Sequence, residues 1–380
     1  MAGYATRFHR LLSGKHGVAS PLGAWLLLAL VAPAAEGAVR DELAEVLGCD
    51  VEEAFAAAAE LLRDPHPEIV LGSAIWHDPH EETERLLELV RRLSPPADGG
   101  PTPSQAEADA WARERTLDLI ERFPLDLDSS VVLLLATAIA TKVSWEVPFL
   151  IADAGTALLP AEPGFAGLPL LRDPGVVEWR GFVDSDAGLV AAFTARSQRG
   201  LFVTSVVTDP GADPVAVLDV AQQIAIGVAT GKPPSTRSLF DLPLGKGTAW
   251  HIGEGVTHAH DRERFEVLLP AWEARSNHEL LGDPELGFAG AVAALVALLS
   301  SSGFGDAKQA AMARYHREGF EAAAVTGVAV RLSLPPETTV RTARIEFTRP
   351  HAVVAATAGA GLWDGLPVFA AWVGQAVPAE

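Results

Sequence analysis

The chain has 380 residues, 49% of them hydrophobic, with a formal charge of -20 and one cysteine. That length and apolar content can bury a large core, while the acidity argues against a nucleic-acid partner and offers no basic surface to anionic lipid. Cys49 alone cannot close an internal disulfide, so nothing in the composition demands an oxidising compartment.

Taken in chain order, the pattern is helical to about residue 62, with Glu52 to Leu62 amphipathic. Arg7, His9, Arg10 and Lys15 precede an apolar stretch in the manner of a secretory signal, but Pro21 opens that stretch and Glu36 closes it. It reads as a buried helix, which leaves the expected localisation cytoplasmic. A strand is predicted at Ile69 to Trp76, then helices at Glu81 to Leu93 and Gln105 to Arg122, separated by the Pro- and Gly-rich link Pro95 to Pro103. Val131 to Thr141 is an apolar run suited to a central strand. Residues 150 to 260 are less regular, with turn signals at Pro160, Pro163, Pro174 and Gly211, short strands at Leu189 to Ala195 and Leu201 to Val207, and a helix at Val215 to Ile226. No uninterrupted apolar run approaches the roughly 18 to 20 residues of a membrane span. Several helices around large antiparallel sheets follow from this order.

The most informative stretch is Gly319 to Leu334, GFEAAAVTGVAVRLSL, ending at Pro335-Pro336. Its even positions, from Phe320 through Ala322, Ala324, Thr326, Val328, Val330 and Leu332 to Leu334, are nearly all apolar, while the odd ones include Glu321, Gly327, Arg331 and Ser333. Period two puts the two sets on opposite faces of a strand.

Enzyme chemistry has little support. There is no Gly-x-Ser-x-Gly elbow, no Gly-x-x-x-x-Gly-Lys loop and no His-Glu-x-x-His. Gly359-Ala360-Gly361 with Gly365 fits a hairpin turn better than a dinucleotide loop, since no helix pattern follows. His258, His260 and Asp261, and the pair His77 and His80, have ligand chemistry but no third and fourth ligand at a recognisable spacing. They read as solvated loops, and no metal or cofactor is expected.

Gly319 to Leu334 resembles the reactive-centre loop of the serpins, whose hinge carries Gly-Thr-Glu and a row of alanines. The resemblance is to the family's bacterial type and spans almost the whole chain. Val18 to Gly23, the apolar run Ala24 to Val31, Glu36 to Leu43 and Leu47-Gly48 are similar to the segment entering and leaving the family's buried second helix. Ser73 to Trp76 resembles a strand of the main sheet, and Ala138 to Phe149 the strand carrying the family's Trp with Pro-Phe after it. Phe265 to Trp272 is similar to another strand, followed by a helix at Asn277 to Phe288, while Phe347 to His351 and Pro367 to Gly374 match the two C-terminal core strands. The implied fold is α+β, about eight or nine helices around three mostly antiparallel β-sheets in a single domain, 1–380, with the loop near the C-terminus.

The resemblance implies a protease inhibitor that needs no catalytic residue or cofactor of its own. The loop is offered as substrate, a target serine or cysteine protease forms an acyl-enzyme, and insertion of the loop into the central sheet traps it. The partner is thus a protease and the chain a monomer, extracellular if it follows many of the family. The hinge is Gly319, Phe320, Glu321, Ala322, Ala323, Ala324, Val325 and Thr326. Phe320 stands where inhibitory serpins carry Thr or Ser, and a ring entering the inner face costs about 1 to 3 kcal/mol unless a pocket receives it. Arg317 replaces the usual Glu and Ala271 the usual Lys, so that ion pair is lost; Glu273 is the nearest candidate partner for Arg317. The sheet-opening region maps to Ser20, Gly23, Thr137 and Gln309, where the family has Ser, Ser, Asn and His, together with Trp145. Thr137 and Gln309 are expected to bond across the strands.

Family spacing puts the scissile bond near Ser333-Leu334. A proline after the bond blocks serine proteases, which removes Leu334-Pro335. Arg331-Leu332 would suit a trypsin-like enzyme, and Leu332-Ser333 or Ser333-Leu334 a chymotrypsin-, subtilisin- or elastase-like one, with Leu332-Ser333 preferred. Two functions stay open at this point: suicide inhibition of a serine protease, and a serpin-fold binding protein that does not inhibit, which Phe320, Arg317 and the altered gate would favour.

Overall fold

Four α-helices open the chain, α1 (Ala2–Leu12), α2 (Pro21–Val31), α3 (Gly37–Leu47) and α4 (Val51–Arg63), with strand β1 (Gly17–Ala19) after the first. The computed structural model describes residues 1–377 except 13, 95–96, 142, 153–154, 176–177, 259, 301–302 and 318–336. α2 is apolar on every side, the composition of a helix with no solvent face, and all of it but Leu27 is buried. Ser20 caps it by accepting the Gly23 amide at 3.3 Å, and Pro21 takes a first-turn position where its missing amide costs nothing. Next come β2 (Ile69–His77), α5 (Glu84–Leu93), β3 (Asp98–Gly100), α6 (Gln105–Arg115) and β4 (Leu133–Thr141). A capping box of Ser104 and Glu107 fixes the start of α6.

The predicted helix Gln105 to Arg122 therefore ends early. Thr116 Oγ1 donates back to the Ala112 carbonyl at 2.7 Å, and Leu117 and Asp118 take left-handed backbone with φ of 54° and 62°, which no helix can continue. The link Pro95 to Pro103, read as a loop, supplies β3, a parallel neighbour of β2.

Beyond the short β5 (Leu150–Ile151) and β6 (Leu170–Arg172) come β7 (Trp179–Ser185), β8 (Gly188–Arg196), β9 (Leu201–Thr208) and α7 (Pro214–Ala229). They are followed by β10 (Gly245–Lys246), β11 (Trp250–Thr257), β12 (Glu263–Pro270), β13 (Trp272–Glu279), α8 (Phe288–Val296) and β14 (Lys308–Tyr315). The last strands are β15 (Thr338–Glu346), β16 (His351–Thr357) and β17 (Pro367–Val373). The strand expected at Phe265 to Trp272 is divided at Ala271, and the helix expected at Asn277 to Phe288 is absent. Trp272 and Ala274 alternate inward with Ser276 and His278 as a strand requires, and α8 starts only at Phe288. The glycine cluster at 359–365 does turn the β16–β17 hairpin, through a short 3-10 turn at Gly361–Trp363.

Among the described residues there are four sheets. Two have six strands, in the orders β1-β17-β16-β9-β8-β7 and β10-β11-β15-β12-β6-β5; the others are β3-β2-β4 and β13-β14. α2 and α7 pack on the first, and α6 covers one face of β3-β2-β4 through Ala108, Ala112 and Trp111 against Ala74, Trp76, Leu134 and Ala136. The expected central sheet is thus present in two parts. β4 faces α6 on one side and the main core on the other, with Leu133, Leu135 and Ile139 packed inward, yet β2 is its one ladder partner among the described residues. No helix among the described residues is long and apolar enough to cross a membrane.

Candidate functional site

β4 and β14, the inner strands of the two partial sheets, both line one cavity, and the gap between them is the seam. The opening turn of α2 joins them. Thr137 on β4 donates its hydroxyl to the Gly23 carbonyl at 2.8 Å. From β14, Gln309 grips Ser20 at both ends of its peptide unit, Oε1 accepting the Ser20 amide at 2.9 Å and Nε2 donating to the Ser20 carbonyl at 2.8 Å. Ser20 Oγ donates to the Val368 carbonyl at 2.9 Å, which ties the junction to β17. Thr137 and Gln309 thus do not bond to each other across the strands, as the sequence had suggested. Each holds the backbone of residues 20–23, and Gly23, without a side chain to offer, contributes its carbonyl and amide.

Two further residues complete this junction: His278 falls in the segment read as the helix Asn277 to Phe288, and Ser276 just before it, in a stretch assigned to no element. Ser276 Oγ accepts the Val18 amide at 3.0 Å, and His278 Nε2 donates to the Val18 carbonyl at 2.8 Å. Burial lowers the His278 pKa, and the bond to Val18 partly offsets that. Read as a strand, the alternation Trp272, Ala274, Ser276, His278 would have pointed to them.

β4 and β14 both run from this junction toward Trp145. Trp145 donates its indole N–H to the His316 carbonyl just past β14 at 2.9 Å, and its backbone bridges Ser197. Its ring meets Tyr315 at 4.8 Å and Phe149 at 5.7 Å between centroids, while Trp272 stacks on Tyr315 at 6.1 Å. Burial raises the Tyr315 pKa well above the usual phenol range, so the ring is neutral at any working pH. Below these aromatics the seam opens into a cavity of about 200 Å³. Thr141, Val143 and Trp145 line it together with Met312 to His316 and with Val203, Val353 and Ala355 of the first six-stranded sheet. β4 and β14 each keep one ladder edge with no strand partner among the described residues, and both contribute to the cavity wall.

Glu273 does not serve Arg317. Its carboxylate takes Arg314 Nη2 at 2.7 Å and Arg275 Nε at 3.0 Å; burial raises its pKa, but the two guanidinium partners outweigh that and leave it lowered. Strand parity explains the change, because Arg314 is the cross-strand neighbour of Glu273 in the β13–β14 ladder. Ala271 is buried and bridges Val377. His258 lies 3.6 Å from Glu337 and His77 3.7 Å from Glu82, and no cluster of three or more metal-ligand side chains occurs among the described residues. The hinge Gly319 to Thr326 and the scissile candidates Arg331, Leu332, Ser333 and Leu334 lie outside the described residues. In the chain they join β14 to β15.

A family profile described as Serpin (serine protease inhibitor) matches residues 5–156. Serpin-Z2B of Oryza sativa subsp. japonica is 30% identical over 148 residues, 36% of this chain and 35% of the relative, so that match spans about a third of its length. Putative serpin-Z6C of the same plant is 23% identical across 92% of this chain and 89% of its own. Among solved structures, the native state of the thermophilic serpin tengpin is similar in fold, with a TM-score of 0.65 at 13% identity over 98% of this chain and 92% of that one.

Proposed function

Sequence and fold together support membership of the serpin family, and from that premise we propose that the chain inhibits a serine protease by inserting the loop Gly319 to Ser333 into the seam between β4 and β14. One observation carries the reading: β4 is covered on both faces yet has a ladder edge without a partner among the described residues, and so does β14, which lines the same cavity. Two unpaired strand edges in one molecule are a template for a further strand. A segment that leaves β14 and folds back would run antiparallel to both edges. Phe320, first of the inward set, would enter over the cavity lined by Thr141, Val143 and Met312 to His316, which offers the room that its ring needs. Ala322 and Ala324 would follow it down the inner face. Ser20, Gly23, Thr137 and Gln309 would act as the gate that yields, and Trp145 as the point of first entry.

Incubation with trypsin-, chymotrypsin- and subtilisin-type enzymes tests this. The expected product is a complex that survives boiling in detergent with at least one of them. Cleavage by all three without such a complex would overturn the reading.

A non-inhibitory binding protein is the second reading. It is favoured by the commitment of Glu273 to Arg314 and Arg275, which leaves the top of the hinge without the family's ion pair. It predicts that loop cleavage leaves the melting temperature nearly unchanged, whereas a rise of tens of degrees counts against it.

A further inference from the structure

Glu68 lies immediately before β2 and is 7% exposed, a buried carboxylate that no sequence motif marks. Its two oxygens take separate donors from the turn between β8 and β9. Oε2 accepts the hydroxyl of Ser197, which is fully buried, and Oε1 accepts the Arg199 amide at 3.0 Å. Ser197 Oγ in turn accepts the Leu201 amide at 2.7 Å, so the turn is fixed by bonds that converge on one carboxylate. Burying that charge is costly, and two converging donors are what offset it.

The same turn carries Trp145. The Arg196 carbonyl accepts the Glu146 amide at 2.9 Å, and the Gln198 amide donates to the Ser144 carbonyl at 2.9 Å. On its far side, the Trp145 segment is tied to the end of β14 by the indole bond to His316 and by the Phe149 amide, which donates to the Arg317 carbonyl at 3.3 Å. A continuous path therefore runs from Glu68, beside the end of β4, through turn 196–199 and residues 144–149, to the opposite wall of the seam.

We propose that Glu68 is a positioning residue for sheet opening. By holding turn 197–199 it keeps Trp145 seated against the end of β14, and so keeps the top of the seam closed until a strand enters. This rests on the reading of the seam as the entry path. The coupling itself is present whether or not a protease is trapped.

Amide hydrogen exchange on the free protein tests the coupling, with Glu68→Gln, Glu68→Ala and Ser197→Ala compared with wild type. Glutamine keeps the size but has a single acceptor oxygen for two donors, so Glu68→Gln serves as the variant that keeps the fold. The expected result is exchange faster by about tenfold to a hundredfold at Glu146, Gln198 and Phe149, the factor that one charge-assisted hydrogen bond is worth. Glu68→Gln should fall between wild type and Glu68→Ala, with the β8–β9 ladder amides of Phe193 and Ser205 unchanged. Acceleration confined to Arg199 and Leu201 would overturn the proposal, as would a uniform acceleration that includes the ladder. A wild-type protein that traps no protease, with variants that show the expected exchange, would refute the inhibitor reading and leave the coupling standing.

Discussion

Replacing Gln309 with methionine keeps the length of the side chain and removes both polar atoms that hold Ser20. The Ser20 carbonyl keeps the Ala24 amide at 3.3 Å, but its own amide, in a residue 5% exposed, loses Gln309 Oε1. A lost hydrogen bond of about 1 kcal/mol plus the cost of a buried unpaired amide, about 1 to 3 kcal/mol, gives a destabilisation of about 2 to 4 kcal/mol. For a chain of 380 residues the unfolding entropy near the midpoint is about 0.8 kcal/mol per degree, so the melting temperature should fall by about 3 to 5 °C. Thermal scans of wild type and Gln309→Met measure the shift, and exchange at the Ser20 amide locates it. Ser276 and His278 still hold Val18, so β13–β14 should stay attached at its lower end. A shift below about 1 °C, with Ser20 as protected as in wild type, would refute the idea that Gln309 fastens β14 to α2.

Thr137→Val keeps the shape of the side chain and deletes the bond to the Gly23 carbonyl. It should cost about 1 kcal/mol, with Thr137→Ser recovering most of it; equal stabilities for the valine and serine variants would rule that bond out as a contributor. Burial lowers His351 from its ordinary pKa of 6.5 to about 4. Between those values the unfolded chain binds a proton that the folded chain does not, so stability falls as pH drops through that window, by about 3 kcal/mol at its lower end. His9 and His278 are lowered as well and add in the same direction. Urea melts from neutral pH down to about pH 4.5 should show a shallower slope for His351→Asn, and an unchanged slope would contradict the assignment.

Much of the fold was legible because it rests on local pattern. The all-round apolarity of α2 and the apolar run from Val131 that becomes β4 are each visible within a few residues. The misread elements are those decided at long range. Asp98–Gly100 has no strand composition and becomes β3 because β2 offers it an edge. The α6 continuation failed at Leu117 and Asp118, where the chain turns over the seam and places Leu119 in the lining of the cavity. At the site, polar types at Ser20, Thr137 and Gln309 could be read, but their partners could not. All three bond to backbone, which a sequence displays at every position and so marks at none. Glu68 was invisible for the same reason, since its meaning depends on a turn about 130 residues away, with Arg199 at a separation of 131.

The order of strands in the first six-stranded sheet carries a consequence for synthesis. β17 is laid between β1 and β16, pairing Val18 with Ala371 on one side and Val353 with Ala371 on the other. Residues 17–19 therefore leave the ribosome about 350 residues ahead of the strand they pair with. At about 5 to 20 residues per second, the wait is tens of seconds. During it the edge of β9 also lies open, from its own completion until β16 is made about 140 residues later, the condition under which strands pair with the wrong molecule. Yield in the cell should then follow translation speed and chaperone supply more closely than the stability of the finished protein.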